Sequence, residues 1–141
     1  MAMRKSILHL VKVMGGLAGM MTKITEDSPE YYALNCLTDE EADVAASLGL
    51  RKPRTLEYVA DKCGKSTEET KKILDRLGYL GVIKIYTENG QTLYFMQIFA
   101  PGTLEMMVGC TENVKEHPEI AKAFEAYTRG LMESMGTMLP L

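Results

Sequence analysis

The sequence predicts a mainly α-helical fold that contains one β-hairpin. Three helix-capping signals between residues 38 and 69, and an Asn89-Gly90 turn between two β-rich runs, carry this prediction. The chain has 141 residues, of which 46% are hydrophobic and 25% are charged, the ordinary balance of a globular protein. A wholly disordered chain is therefore excluded, and the length fits one domain with an appended arm.

The capping signals predict three short helices in the centre of the chain. Each has a Ser or Thr at the N-cap, whose side chain can accept a hydrogen bond from the first turn, and each is followed by a glycine that can end the helix. The first and the third also have a Glu three residues after the cap, which is a capping-box pattern. The predicted helices cover about 39–48, 56–63 and 67–79, with N-caps Thr38, Thr55 and Ser66 and stops at Gly49, Gly64 and Gly81.

A β-hairpin follows the third helix. Two runs rich in β-branched and aromatic side chains flank Asn89-Gly90, the sequence that favours a two-residue turn. The turn sets a register with two pairs on the helix-facing side, Ile83 with Met96 and Ile85 with Tyr94. A helix, a helix-turn-helix unit and a hairpin, in this order, predict a winged helix-turn-helix domain over residues 38–100, with extra N- and C-terminal helices.

Residues 1–21 predict an amphipathic N-terminal helical arm. Its apolar residues recur at helical spacing and form one stripe. The stripe, and with it the candidate partner or dimer contacts, comprises Ile7, Val11, Met14, Ala18 and Met21. Two alternatives stay open: the helix packs on its own domain, or it packs on a second copy or another domain. His9 and Lys12 interrupt the apolar run, so we expect no membrane span.

The two remaining segments flank the winged helix-turn-helix domain. Residues 22–37 read as a linker, with Ser28-Pro29 as a breaker of regular structure. Residues 101–141 predict C-terminal helices, of which the first is capped by Thr103. A polar stretch then leads to a final helix that begins at Pro118, a residue suited to a first helical turn.

The charge composition of the chain disfavours binding to nucleic acid but does not exclude it. Sixteen Lys and Arg against nineteen Asp and Glu give a net charge of −3, whereas phosphate binding needs a positive excess. On the outer face of the third helix the acids cancel the bases, which is typical of a solvated face with i,i+4 pairs. The candidate nucleic-acid contacts are Arg51, Lys52, Arg54, Lys65, Lys71, Lys72 and Arg76.

The sequence contains no recognisable reactive chemistry. Cys36, Cys63 and Cys110 are widely spaced, and no CxxC or HxxxH pair occurs. His9 and His117 lack the context of a catalytic triad. We therefore predict reduced thiols in a cytoplasmic protein, with no catalytic residue, no metal site and no cofactor in this chain.

A resemblance covers most of the chain, from about Met21 to Arg129. The running sequence MTKITEDSPEYYALNCLTDEEADVAASLGLRKPRTLEYVADKCGKSTEETKKILDRLGYLGVI, with FAPGTLEMM and EHPEIAKAFEAYTR after it, resembles the amino-terminal region of iron–sulfur (ferredoxin-type) oxidoreductase proteins of anaerobic bacteria. In that family the winged-helix-like region precedes CxxCxxC-type cysteines that hold clusters. The cysteines of this chain do not match that motif, so the resemblance implies a leading domain or a stand-alone relative without cluster ligands.

These observations predict a non-catalytic winged-helix interaction or regulatory module. Its expected partner is a redox protein or a second copy of the chain. The alternative is a dimeric winged-helix transcription regulator, in which terminal helices would form the dimer and two recognition helices would lie about one DNA turn apart.

Overall fold

The computed structural model describes residues 3–21, 23–99, 103–126 and 129. Within them the fold is mainly helical with a two-stranded antiparallel hairpin, as predicted. The helices and strands, in chain order, are α1 (Lys5–Met21), α2 (Pro29–Leu34), α3 (Asp39–Ser47), α4 (Leu56–Cys63), α5 (Thr67–Leu80), β1 (Lys84–Glu88), β2 (Gln91–Phe95), α6 (Leu104–Gly109) and α7 (Thr111–Glu116). Residues 119–126 are also helical.

Helix α1 packs against α3 and α2 of its own chain. Ile7, Val11 and Met14 are buried in the core, so contacts within the chain replace the partner contacts expected for these side chains. Of the two alternatives for the arm, the structure shows the helix that packs on its own domain. The side chains of Ala18 and Met21 lie outside the described part of the chain.

Arg4 fastens the start of α1 to the junction between α2 and α3. Its guanidinium donates to the Leu37 carbonyl at 2.7 Å and to Asp39 Oδ1 at 2.9 Å. Ser6 Oγ also donates to Asp39 Oδ1, at 2.5 Å. The hydroxyl of Ser6, followed by Arg4, lowers the pKa of the Asp39 carboxyl, because both groups favour its charged form.

The predicted linker over 22–37 contains helix α2, which corrects the sequence interpretation. Ser28-Pro29 starts a helix here because proline at the first helical position lacks only an N–H group that would have no partner. Tyr31, Ala33 and Leu34 then turn into the core, and their burial stabilises this short element.

The predicted N-caps of α3, α4 and α5 are confirmed; the predicted capping box is complete at α3, whereas at α5 only the bond from the Glu69 backbone to the Ser66 side chain is observed. The Thr38 side chain accepts from the Glu41 backbone, and Glu41 Oε1 accepts from the Thr38 backbone at 2.9 Å. Thr55 and Ser66 cap the next two helices in the same way from the side-chain oxygen. The helices end within a residue or so of the predicted stops, because these signals are local to the sequence.

The hairpin has the predicted register, with Ile85 opposite Tyr94. Ile83, Tyr94 and Met96 are buried, as expected for the helix-facing side. Ile85 is 36% exposed but packs on helix α5, as expected for this side of the hairpin. It lies against Gly78 at the edge of α5, where a Cβ on that glycine would come within 2.5 Å of Ile85 Cδ1.

The segment between α3 and α4 pairs with the free side of β2. The Arg51 N–H donates to the Met96 carbonyl at 2.8 Å, and Arg54 and Tyr94 exchange two backbone hydrogen bonds of 2.9 Å. The sequence predicts only a polar turn at this place. The pairing brings the bases of this turn beside the hairpin.

The C-terminal helices lie where expected, with one addition. Thr103 precedes α6, but its hydroxyl reaches the Gln97 carbonyl at 3.4 Å instead of capping the helix. Helix α7 forms in the stretch expected to be a polar connection. In the helical residues 119–126, Ile120 and Ala123 are buried against the core.

Candidate functional site

Arg76, a candidate DNA contact on α5, is bound to an acidic residue of α3. Its Nε donates to Glu41 Oε2 at 2.7 Å. The Glu41 side chain is only 9% exposed and also caps α3, so it cannot turn away to release the arginine. Removing Arg76 from this pair would leave a largely buried carboxylate without its counter-charge, which is costly. Arg76 therefore links α3 to α5.

Two lysines of the candidate set are also paired within the chain. Lys71 Nζ lies 2.7 Å from Asp75 Oδ2, one turn along α5. The hydrogen bond to Asp75 raises the pKa of Lys71 because it favours the charged form of the lysine. Lys65 Nζ lies 3.5 Å from Glu40 Oε1. The outer face of α5 is thus close to neutral, as the sequence predicts.

Arg54 forms a platform with two residues of α4. Its Nε donates to the Leu48 carbonyl at 3.0 Å, and its guanidinium carbon lies 4.2 Å from the centre of the Tyr58 ring. Lys62 Nζ lies 5.6 Å from the same ring centre and 3.4 Å from the tyrosine hydroxyl. We call Arg54, Tyr58 and Lys62 the Tyr58 platform. Tyr58 is 37% exposed, so the platform faces solvent.

The remaining candidate bases are exposed and have no ion pair to a described residue. Arg51 and Lys52 lie in the connection before α4, and Lys72 lies on α5. Arg51 has a φ of +57°, the left-handed conformation, where its backbone is held by the bond to Met96. A Cβ built on Gly49 would lie 3.7 Å from Arg54 Nη2 and 3.8 Å from Lys52 Cδ, so Lys52 adjoins the platform.

The platform lies in a basic stretch of an acidic chain. Residues 51–65 carry five bases and two acids, a net charge of +3, so with −3 for the whole chain the rest carries −6. Sequence reasoning did not select Tyr58 or Lys62. Part of the signal was present, because Tyr58 and Lys62 are four residues apart on the predicted helix 56–63, which places them on one side of it.

A polar groove adjoins the platform. It lies between α1, α3 and α4 and has a volume of about 640 Å³. Its walls include Lys62 and Lys65 from the α4 side and Glu40 and Asp43 from α3, with Ala46 among the apolar lining. His9 and Cys63 also border it, but within the described ranges no three His, Cys, Asp or Glu residues are placed to hold a metal ion.

The comparisons with known proteins give no match. No family model fits the chain, and no curated protein or solved structure is significantly similar to it. The resemblance to iron–sulfur oxidoreductases therefore stays a prediction.

Two further structural findings bear on the sequence predictions. Cys36, Cys63 and Cys110 are thiols rather than disulfides, and each is half-buried. Among the described helices, none is both long and apolar enough to cross a bilayer.

The hydrogen bond of the Tyr79 hydroxyl predicts how this residue titrates at alkaline pH. Its hydroxyl donates to Glu112 Oε2 at 2.6 Å and joins α5 to α7, and this bond raises the tyrosine pKa to about 12. The contact therefore contributes stability that is complete below the ordinary pKa of 10.0 and is lost as pH rises to about 12. In a titration of tyrosinate absorbance, we expect the Tyr79→Phe variant to lose the component near pH 12.

A matched pair of variants checks the cause of this shift. Glu112→Gln removes the charged acceptor, so Tyr79 should titrate close to its ordinary value. Glu116→Gln removes one exposed carboxylate from the same helix and should leave the titration unchanged. An unchanged titration in Glu112→Gln would contradict the contact between α5 and α7.

Proposed function

We propose that this chain is a non-catalytic winged-helix module that acts by contact with a protein partner. The observation that carries the proposal is the neutralised face of α5, where Arg76 is held by Glu41 and Lys71 by Asp75. A helix that reads DNA needs bases free to meet phosphates and base edges. These two bases already have carboxylate partners.

The scaffold part of the proposal is supported by element order and pairing. Helix α3, the pair α4 and α5, and the β1–β2 hairpin follow one another as in a winged helix. Bridges from Leu50 to Met96 and from Arg54 to Tyr94 also tie the connection before α4 to the hairpin.

We assign the partner by class from the resemblance noted in the sequence. An iron–sulfur redox protein, or a region of one, is the proposed partner in the cytoplasm, and this chain would supply a docking scaffold without cluster ligands. A second copy of the chain is the other proposed partner. The burial of Ile7, Val11 and Met14 within α1 means that either partner would use a different surface.

One observation favours the alternative, a dimeric winged-helix transcription regulator. Arg51, Lys52 and Lys72 are exposed and have no ion pair in the described part of the chain. Three such bases could contact phosphates, although Glu68 and Glu69 at the start of α5 would repel the same backbone.

Binding to DNA at low salt separates the two functions. With a fluorescein-labelled duplex, we expect no saturable rise in anisotropy, because the neutral face of α5 should give a dissociation constant weaker than about 100 µM. Saturable binding that weakens steeply with salt would overturn the proposal in favour of the regulator. In a parallel arm, co-elution with the cluster-binding region of a ferredoxin-type oxidoreductase supports the partner class. Separate elution of a monomeric chain counts against both partners.

A further inference from the structure

We propose that the Tyr58 platform and Lys52, together with the adjoining groove, bind an acidic segment of a partner protein. The inference rests on the proposed function and names the docking surface and the chemistry of the partner. Three features of the structure support it: preorganised cations, a local charge opposite to that of the remaining chain, and acids interleaved among the bases.

Two of the cations of this surface, Arg54 and Lys62, are held in place before any partner binds. Arg54 is fixed by its bond to the Leu48 carbonyl and by stacking on Tyr58, and its Nη groups make no hydrogen bond to a described residue. Lys62 is positioned by the Tyr58 hydroxyl. A carboxylate that meets such groups costs less side-chain entropy than one that meets freely moving lysines. The planar guanidinium also suits two-point binding of a carboxylate.

The charge of the surface selects an acidic partner. The stretch of residues 51–65 is at +3 while the remaining chain is at −6, so an acidic segment would be attracted here and repelled elsewhere. Lys65 strengthens this difference little because Glu40 pairs with it. Lys52, Arg54 and Lys62 are therefore the bases that would contact the partner.

The acids between these bases favour a peptide over a nucleic acid. Glu57 and Asp61 are exposed on α4, and Glu40 and Asp43 line the groove. A nucleic-acid backbone is a continuous row of negative charge, about one per 1.7 Å in duplex DNA, and would meet these carboxylates wherever it lay. An acidic peptide can place its carboxylates opposite Lys52, Arg54 and Lys62. Its neutral residues can lie opposite the carboxylates of this surface, so that like charges do not meet.

The groove provides a place for such a neutral residue. Ala46, which is partly exposed, contributes apolar surface to it, while Lys62 is shared between the groove and the platform. A carboxylate on the platform and an apolar side chain in the groove could thus come from neighbouring positions of one extended peptide. We therefore expect the partner segment to combine acidic with apolar residues.

The test uses the full chain and a short fluorescein-labelled peptide of alternating Glu and Leu. We expect saturable binding that weakens with salt. The double variant K52E/K62E should weaken it by about tenfold or more, because attraction becomes repulsion at two exposed sites. The matched control K115E/K122E makes the same charge change at exposed positions outside the surface and should alter binding by less than about twofold.

Changes at Tyr58 test the platform separately from the charge. Tyr58→Phe keeps the ring under Arg54 and should retain most of the binding. Tyr58→Leu removes the ring and should weaken binding by about threefold to tenfold. Circular dichroism of each variant establishes that the fold is kept, which we expect because the side chains are exposed or partly exposed.

The outcomes separate this inference from the proposed function. Absence of peptide binding, or equal losses in K52E/K62E and its control, overturns the inference. If duplex DNA is also not bound, the proposed function still stands with another docking surface. If duplex DNA binds the chain and K52E/K62E abolishes that binding, both the inference and the proposed function are overturned.

Discussion

Replacing Gly81 with alanine is expected to destabilise the native state by about 3 kcal/mol, through a strained backbone and a collision with α6. Gly81 ends α5 with a φ of +86°, a conformation that alanine adopts at a cost. A Cβ there would lie 2.5 Å from the Met106 carbonyl carbon and 2.7 Å from the Met107 nitrogen. Because these are backbone atoms, they can move aside only if α6 shifts as a unit.

Gly64→Ala is the matched control for this prediction. Gly64 ends α4 in the same left-handed conformation, with a φ of +65°, but a Cβ there meets nothing within 4 Å. It should cost about 1 kcal/mol, the conformational contribution alone. Urea unfolding of the two variants measures the difference. Equal costs would contradict the close contact between the end of α5 and the backbone of α6.

Replacing Glu41 with alanine is expected to lower the free energy of unfolding by about 2 kcal/mol. The variant loses the hydrogen bond that caps α3 and the ion pair with Arg76 in one step. The two losses add because separate oxygens of the carboxylate make them, Oε1 to the Thr38 backbone and Oε2 to the guanidinium. Urea unfolding measures the effect.

Two variants show which part of Glu41 matters. Glu41→Gln keeps an oxygen for the Thr38 backbone and removes the charge, so it should cost less than Glu41→Ala. Glu40→Ala removes the neighbouring carboxylate, which is 58% exposed in its pair with Lys65, and should change stability by less than about 0.5 kcal/mol. If Glu40→Ala cost as much as Glu41→Ala, the link between α3 and α5 would not be the cause.

The helix starts and the hairpin register could be predicted because their determinants lie within a few residues of each other. Thr38 and Glu41 satisfy each other's backbone groups, and Asn89-Gly90 fixes the pairing of Ile85 with Tyr94. Such local interactions do not depend on how the helices pack. The predicted winged-helix assembly goes one step further and stays a proposal.

The features that sequence reasoning missed depend on contacts between distant segments. The residues around Pro29 do not show that α2 packs on the hydrophobic core. The residues around Arg54 do not show that its backbone pairs with Tyr94. The partner of Arg76 was equally hidden, because Glu41 lies on another helix. The sequence therefore indicates which bases are candidates for contacts, but not which of them already have carboxylate partners.

The pairing of residues 50–54 with β2 fastens together two ends of a long stretch of chain. The intervening polypeptide contains α4, α5 and β1. It forms a loop whose two ends are joined by the backbone hydrogen bonds of Arg51 with Met96 and of Arg54 with Tyr94. Bringing the two ends of this loop together costs chain entropy, and this cost is met when the hydrogen bonds at its ends form. These helices and strands, with Tyr58 and Lys62 among their residues, should consequently gain and lose order as one cooperative unit.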